Sequence, residues 1–273
     1  MADEIEYRQL NEKIAKGERE TAELKKKIEE LKLNQLPVQD LQIEIKEKEQ
    51  EFLSNQKVKE AREYGIRGEF DKALSLSEDA VRLNPKSADA YAVRAESNGS
   101  LKNYDLCIKD CERSLQIKPD NARAYHSRGL SYVNKGEYDK ALIEINKALQ
   151  IDPYYAGAFY SRGMAYNGKR EYENAMNDYD RAIQYNIKNI DVYISRANIY
   201  YIKGDFHNAI NDCTKALEKN PRYWLAYYNR AVFYLQIDEY NKAIYDLEMV
   251  LKLNPNGSNA REILNKLYQM RQG

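Results

Sequence analysis

Prolines return along this chain at a fixed step. Pro85, Pro119, Pro153, Pro221 and Pro255 are separated by 34, 34, 68 and 34 residues, so one beat of a 34-residue period is skipped and Ile187 stands in its place. A recurrence of that length signals stacked structural units, each too small to bury its own apolar face. It constrains the fold more than the length of 273 residues does, because a stack grows by units and has no single globular core.

Other positions keep the same beat. Aromatics align at Tyr91, Tyr125, Phe159, Tyr193 and Tyr227, again at Tyr64, Tyr132, Tyr166, Tyr200 and Tyr234, and a third time at Phe70, Tyr104, Tyr138, Tyr172, Phe206 and Tyr240. Small residues align at Ala61, Ala95, Gly129, Gly163, Ala197 and Ala231, and at Ala73, Cys107, Ala141, Ala175, Ala209 and Ala243. In the copy from Ala122 to Pro153, Tyr125, Gly129 and Tyr132 hold helical spacing. Asn134-Lys135-Gly136 interrupts it, and Ala141, Ile145 and Ala148 resume it. Each copy therefore reads as two short helices around a turn. Small residues let facing backbones approach, and aromatics fill the space between one pair and the next.

This pattern resembles the tetratricopeptide repeat, met six times at 54–87, 88–121, 122–155, 156–189, 190–223 and 224–257. The resemblance implies an all-α fold, a right-handed superhelical solenoid of helix-turn-helix units. Residues 258–273 read as a capping helix, with Ile263, Leu264, Leu267 and Tyr268 on one face and a polar remainder.

Residues 1–53 lie outside the repeat as a charged helical extension. Leu10, Ile14, Leu24, Ile28 and Leu31 follow a heptad pattern, with Gly17 and Thr21 at its weak places. Asn34-Gln35-Leu36-Pro37 breaks the pattern, and a long second helix through Leu41, Ile45 and Phe52 is expected to run into the first repeat. Residues 1–36 fold back as an antiparallel hairpin, favoured by the short connection, or pair with a second copy as a coiled-coil homodimer. A third arrangement lays the first helix in the groove as an autoinhibitory element.

Composition removes several classes of function. Lys plus Arg equals Asp plus Glu at 43 each, so nothing draws the chain to nucleic acid or an anionic membrane. No apolar run approaches a membrane span. The acidic start Met-Ala-Asp-Glu-Ile-Glu argues against a signal peptide. Cys107, Cys111 and Cys213 occupy small or apolar repeat positions and read as core, which fits a reducing cytoplasm. His126 and His207 are isolated, and neither metal-ligand spacing nor a phosphate loop occurs, so no enzyme, metal or cofactor is expected.

Two constellations remain. Arg94, Arg128, Arg162, Arg196 and Arg230 recur with Asp110, Glu144, Asp178, Asp212 and Asp246, while the first repeat carries Glu60 and Leu76 instead. The joint absence predicts that each Arg pairs with the acid of its own unit as an exposed structural ladder. The other constellation is the outward face of the first helices: Arg123, His126, Ser127 and Leu130, then Tyr160, Ser161 and Met164, then Ile194, Asn198 and Tyr201, then Tyr228, Asn229 and Val232. The resemblance implies that this face lines a concave groove for a peptide segment of a partner protein. Aromatic, Met and Leu anchors among amides and hydroxyls suit that use.

One subset of the family clamps acidic chaperone tails with Lys, Asn and Arg. Asn198 and Asn229 match parts of that clamp, but Ile194, Asn259 and Ile263 stand where polar or cationic groups are needed. A co-chaperone with a degenerate clamp is therefore ranked below a neutral adaptor, as is a scaffold assembling through its N-terminal coiled coil.

Overall fold

The computed structural model describes residues 2–33 and 38–272, which form helices joined by short turns. The breaker at 34–37 lies outside the described residues. The chain forms two compact units, Met1–Ser161 and Arg162–Gly273.

The first unit holds α1 (Ala2–Leu33), α2 (Gln39–Ile66), α3 (Phe70–Leu83), α4 (Ala88–Ser100), α5 (Tyr104–Ile117), α6 (Ala122–Asn134), α7 (Tyr138–Ile151) and the start of α8 (Ala156–Gly168). The second holds the rest of α8, α9 (Tyr172–Gln184), α10 (Asp191–Ile202), α11 (Phe206–Lys219), α12 (Trp224–Leu235), α13 (Tyr240–Leu253) and α14 (Ser258–Gln272). Consecutive helices pack on one another: α2 on α3, α4 on α5 and α6 on α7 in the first unit, α10 on α11 and α12 on α13 in the second. Ala260, Leu264 and Leu267 of α14 are buried at the chain's end, and α14 packs on α13.

The turn inside each pair has one design. A residue with left-handed backbone recurs every 34 positions: Gly68 (φ 78°), Lys102 (64°), Gly136 (76°), Arg170 (62°), Gly204 (77°) and Asp238 (58°). The next amide then reaches back to close the helix, as in Glu137 N–H to Tyr132 O at 2.9 Å and Asp205 N–H to Tyr200 O at 2.8 Å. This left-handed closure satisfies carbonyls that a helix end leaves open, and only glycine adopts it without steric cost.

Between pairs, proline does the punctuation. The residue before each proline is extended, with ψ of 89° at Asn84, 92° at Lys118, 94° at Asp152, 93° at Asn220 and 84° at Asn254. Proline's ring excludes helical backbone from its predecessor, so the helix must stop. At the skipped beat the device changes. Asn186 takes φ of 59° and the Ile187 amide donates to Ala182 O at 3.0 Å, so the left-handed closure substitutes for the proline.

The small residues of the first helices are matched to what faces them. A Cβ added to Gly129 would stand 2.5 Å from Ile145 Cγ1, and one added to Gly163 would stand 2.6 Å from Tyr179 Cε1. Three of the four repeats with alanine there carry a smaller partner at the position equivalent to Ile145 and Tyr179, Ser77 with Ala61, Cys111 with Ala95 and Cys213 with Ala197, while the sixth repeat sets Ala231 against the buried Leu247. Those partners are fully buried. All three cysteines are buried and free, as expected for core residues.

α1 runs antiparallel along α2. Tyr7 Oη donates to Glu63 at 2.6 Å, Lys48 bonds Glu20 at 2.8 Å, and Lys25 bonds Glu49 at 2.6 Å. The two weak places of the heptad pattern are where α2 enters. Phe52 packs over Gly17, and Thr21 turns its hydroxyl to the Gly17 carbonyl at 2.8 Å. Leu10 is buried in one cluster with Val58, Ala61, Ala90 and Val93. No helix among the described residues is long and apolar enough to cross a membrane.

Candidate functional site

The 34-residue period fixes which side chains share a face. Arg123, His126 and Leu130 of α6 are period mates of Asp89, Ala92 and Glu96 of α4 and of Asn55, Val58 and Arg62 of α2. On α2 this face is covered, because Leu10 of α1 shares a buried cluster with Val58 and Lys13 bonds Asp89 at 2.6 Å. The open part of the face therefore begins beyond the first repeat.

On α6, Arg123 is tied to α4. Its Nε and Nη2 donate to the two carboxylate oxygens of Glu96 at 2.8 and 3.1 Å. Burial pushes the Glu96 carboxyl up, but the Arg123 charge and hydrogen bond, helped by Arg62 and His126, hold it below its usual value. His126 is fixed too: Nε2 meets Ser161 Oγ at 2.9 Å and Nδ1 meets the Tyr155 hydroxyl at 3.0 Å. Tyr155 also packs on the imidazole, with ring centroids 4.8 Å apart. Sequence spacing did not reveal Glu96 or Tyr155 as parts of this cluster. Glu96 could have been found as the one acid at the Leu130 position, where the period mates are Arg62, Met164, Asn198 and Val232; Tyr155 lies in a loop outside the helical spacing.

Three expected lining residues are corrected by the structure. Ser127, Ser161 and Ile194 are 8, 2 and 5 % exposed and belong to helix packing. The Ser127 carbonyl accepts from Ser131 Oγ, and Ser161 serves His126. These side chains lie at the edge of the outward arc, where the neighbouring helix covers them.

The remaining expected residues keep accessible surface. In the first unit these are Leu130 and Tyr160. In the second, Met164, Tyr201, Tyr228, Asn229 and Val232 are half-buried and Asn198 is exposed. Tyr201 stacks on Phe233 with centroids 5.1 Å apart and meets Phe206 at 5.7 Å, so its ring is held by packing.

The Arg and acid ladder forms as paired, but it is not exposed. Each Arg bonds the acid 16 residues on; Arg162 Nε and Nη2 reach Asp178 at 2.7 and 2.8 Å, and Arg230 reaches Asp246 at 2.8 and 2.9 Å. The acid side chains are only 1 to 12 % exposed. Arg94, Arg128 and Arg230 also lie over Tyr91, Tyr125 and Tyr227 at 5.3 to 5.6 Å. With both carboxylate oxygens of Asp178 and Asp246 taken, these groups serve each unit's internal packing.

Family models described as tetratricopeptide repeat match residues 58–122, 122–155, 156–188, 190–223 and 224–256. No curated protein matches the chain. Among solved structures, the APC/C hetero-tetramer Cut9-Hcn1 is similar with a TM-score of 0.70 at 15 % identity, covering 78 % of this chain and 42 % of that one. Pseudomonas aeruginosa pilF gives 0.65 at 16 % identity over 80 and 99 % of the two chains. YrrB, described as a TPR protein with an unusual peptide-binding site, gives 0.51 at 22 % identity over 68 and 96 %.

Proposed function

Since the chain belongs to the tetratricopeptide repeat family, we propose that it is a non-enzymatic scaffold that holds a peptide segment of a partner protein on the outward face of its first helices. The carrying observation is the surface left on that face. Met164, Tyr228 and Val232 give apolar anchors, while Asn198 and Asn229 offer amides able to bond a peptide backbone. All five belong to the second unit. Leu130 and Tyr160 supply the same chemistry in the first. Similarity of fold to YrrB, itself described as having a peptide-binding site, supports the same use.

The rings and helices are in place before a ligand arrives, which lowers the ordering cost on the protein side. The peptide still loses its own freedom, so affinity on the order of micromolar is expected. The residues tied into packing, Arg123 and His126 among them, hold the face in shape.

The reading is tested by selecting a random peptide library on the full-length chain and measuring the selected peptides against Met164→Ala and Tyr228→Ala, both in the second unit. Each substitution is expected to weaken binding by about tenfold or more, a typical anchor effect, with unchanged helicity. Peptides that bind both variants as tightly as the parent would overturn it. Light scattering across a dilution series checks the rival assembly role. A monomer of 31.9 kDa is expected, since Leu10 of the heptad seam is buried against its own chain.

A further inference from the structure

Three asparagines of this chain precede a glycine: Asn98, Asn167 and Asn256. In such a pair no Cβ shields the glycine nitrogen from the asparagine side chain, so the nitrogen can attack the side-chain amide carbon wherever the backbone is free to bring them together. The structure separates the three. Asn98 lies inside α4 and is 4 % exposed, with Nδ2 donating to Asp110 at 3.3 Å and Oδ1 accepting from Asn103 at 3.5 Å. Asn167 stands in the last turn of α8, half-buried, and its carbonyl accepts from the Arg170 amide at 2.9 Å. Attack at either position requires a helix to unwind.

Asn256 is exposed, in the turn between α13 and α14, and its side chain is bonded to no other described residue. Pro255 and Asn256 are the central residues of this turn, which the Gly257 N–H closes by donating to Asn254 O at 3.1 Å. Freeing the Gly257 nitrogen takes that one bond. The same joint seats α14. The Gly257 carbonyl accepts from the Arg261 amide at 3.1 Å, Arg261 Nη2 donates to Pro255 O at 2.9 Å, and Ala260 is buried one turn on.

We propose that Asn256 is a site of spontaneous modification, with water as the co-reactant, and that one of its products unseats the first turn of α14. Hydroxide takes the Gly257 amide proton, the nitrogen bonds to Asn256 Cγ, and the Cγ–Nδ2 bond breaks. Nδ2 takes a proton from water and leaves as ammonia, and a succinimide ring is closed. Water then opens the ring at one of its two carbonyl carbons. Opening at Cγ gives aspartate. Opening at the main-chain carbonyl gives isoaspartate, whose chain runs through Cγ and is longer by one methylene. Either product sets a carboxylate ahead of the open amides of α14 and beside Arg261, where negative charge is favourable. The extra methylene acts the other way, because it alters the spacing on which the Gly257-to-Asn254 and Arg261-to-Gly257 bonds depend. The site stands whether or not the outward face holds a peptide.

Peptide mapping by mass spectrometry of the full-length chain, kept folded at mildly alkaline pH, tests it. Asn256 is expected to convert at least about tenfold faster than Asn98 or Asn167, since opening a surface turn takes less free energy than opening a helix. Its rate should rise in proportion to hydroxide. Gly257→Ala should slow the conversion several-fold; the variant keeps the fold, because the nearest atom its Cβ meets is the Asn254 carbonyl at 3.3 Å and the backbone there is not left-handed. Labelling by an isoaspartyl methyltransferase identifies the longer product. In that fraction the first-turn amides of α14 should exchange hydrogen several-fold faster than in the parent or in Asn256→Asp, which carries the charge without the methylene. Survival of Asn256 while a free peptide of residues 252–260 converts, or equal rates at the three asparagines, overturns the site. Unchanged exchange in the isoaspartyl fraction overturns its effect on α14.

Discussion

Replacing Gly163 with alanine places a methyl group 2.6 Å from Tyr179 Cε1 and 2.7 Å from Cδ1, with the Ala175 carbonyl at 3.2 Å. Tyr179 is fully buried, so its ring has no free volume to enter and the two helices must part. Overpacking of this kind costs about 1–3 kcal/mol, while alanine in place of glycine within a helix returns about 1 kcal/mol. The expected net is a loss of up to about 2 kcal/mol, read from urea denaturation followed by circular dichroism and accompanied by a correspondingly lower Tm. Tyr179→Cys supplies the control, because it restores the Ala and Cys pairing found at Ala95 with Cys111 and at Ala197 with Cys213. Alone it opens a cavity and costs about 3–5 kcal/mol. In that background Gly163→Ala meets no ring, so its effect should turn neutral or stabilising, a coupling of at least about 1 kcal/mol. An equal effect of Gly163→Ala in both backgrounds would refute the matching of small and large residues across the pair.

Other outcomes follow from the same geometry. Asp178→Ala strands Arg162, which is 18 % exposed and bonded to Asp178 through two nitrogens, and should cost about 3 kcal/mol in denaturation while selected peptides still bind the folded variant. Glu96 is held below its usual value. Its contribution to stability is therefore full above the unfolded carboxyl value of about 4.5 and fades as pH falls through the lower folded value; Arg123→Gln should flatten the urea midpoint between pH 3.5 and 6. Burial pushes the Cys213 thiol up to about 12, so a thiol reagent at pH 8 should modify it only in denaturant. Arg170→Gly relieves a left-handed backbone with φ of 62° and should raise stability by about 0.5–1 kcal/mol, measured by the same melt.

Helix pairing was legible because backbone and packing demands repeat every 34 residues: the proline beat, the glycine and alanine positions and the aromatic ladders each report a local need. Contacts between units were harder to read. Spacing gives the phase of Ser127, Ser161 and Ile194 on their helices, yet their burial depends on how far the next helix reaches over, which no single repeat encodes. The Arg ladder was legible in its pairing and not in its depth, because exposure depends on flanking tyrosines that also pack over the guanidinium groups. Covering of the first repeat by α1 left only an indirect trace: Gly17 spoils a heptad but admits Phe52.

The matched small and large residues also bear on how such a chain can be rearranged. A crossover inside a repeat would join Ala197 to a second helix carrying tyrosine, or Gly163 to one carrying the serine of position 77, giving a clash in one product and a void in the other. A crossover at the extended residue before a proline carries both halves of the match together. Whole repeats can thus be duplicated or deleted with their internal fit preserved, and the natural joints for recombining this protein are Asn84, Lys118, Asp152, Asn220 and Asn254, where the backbone is already extended.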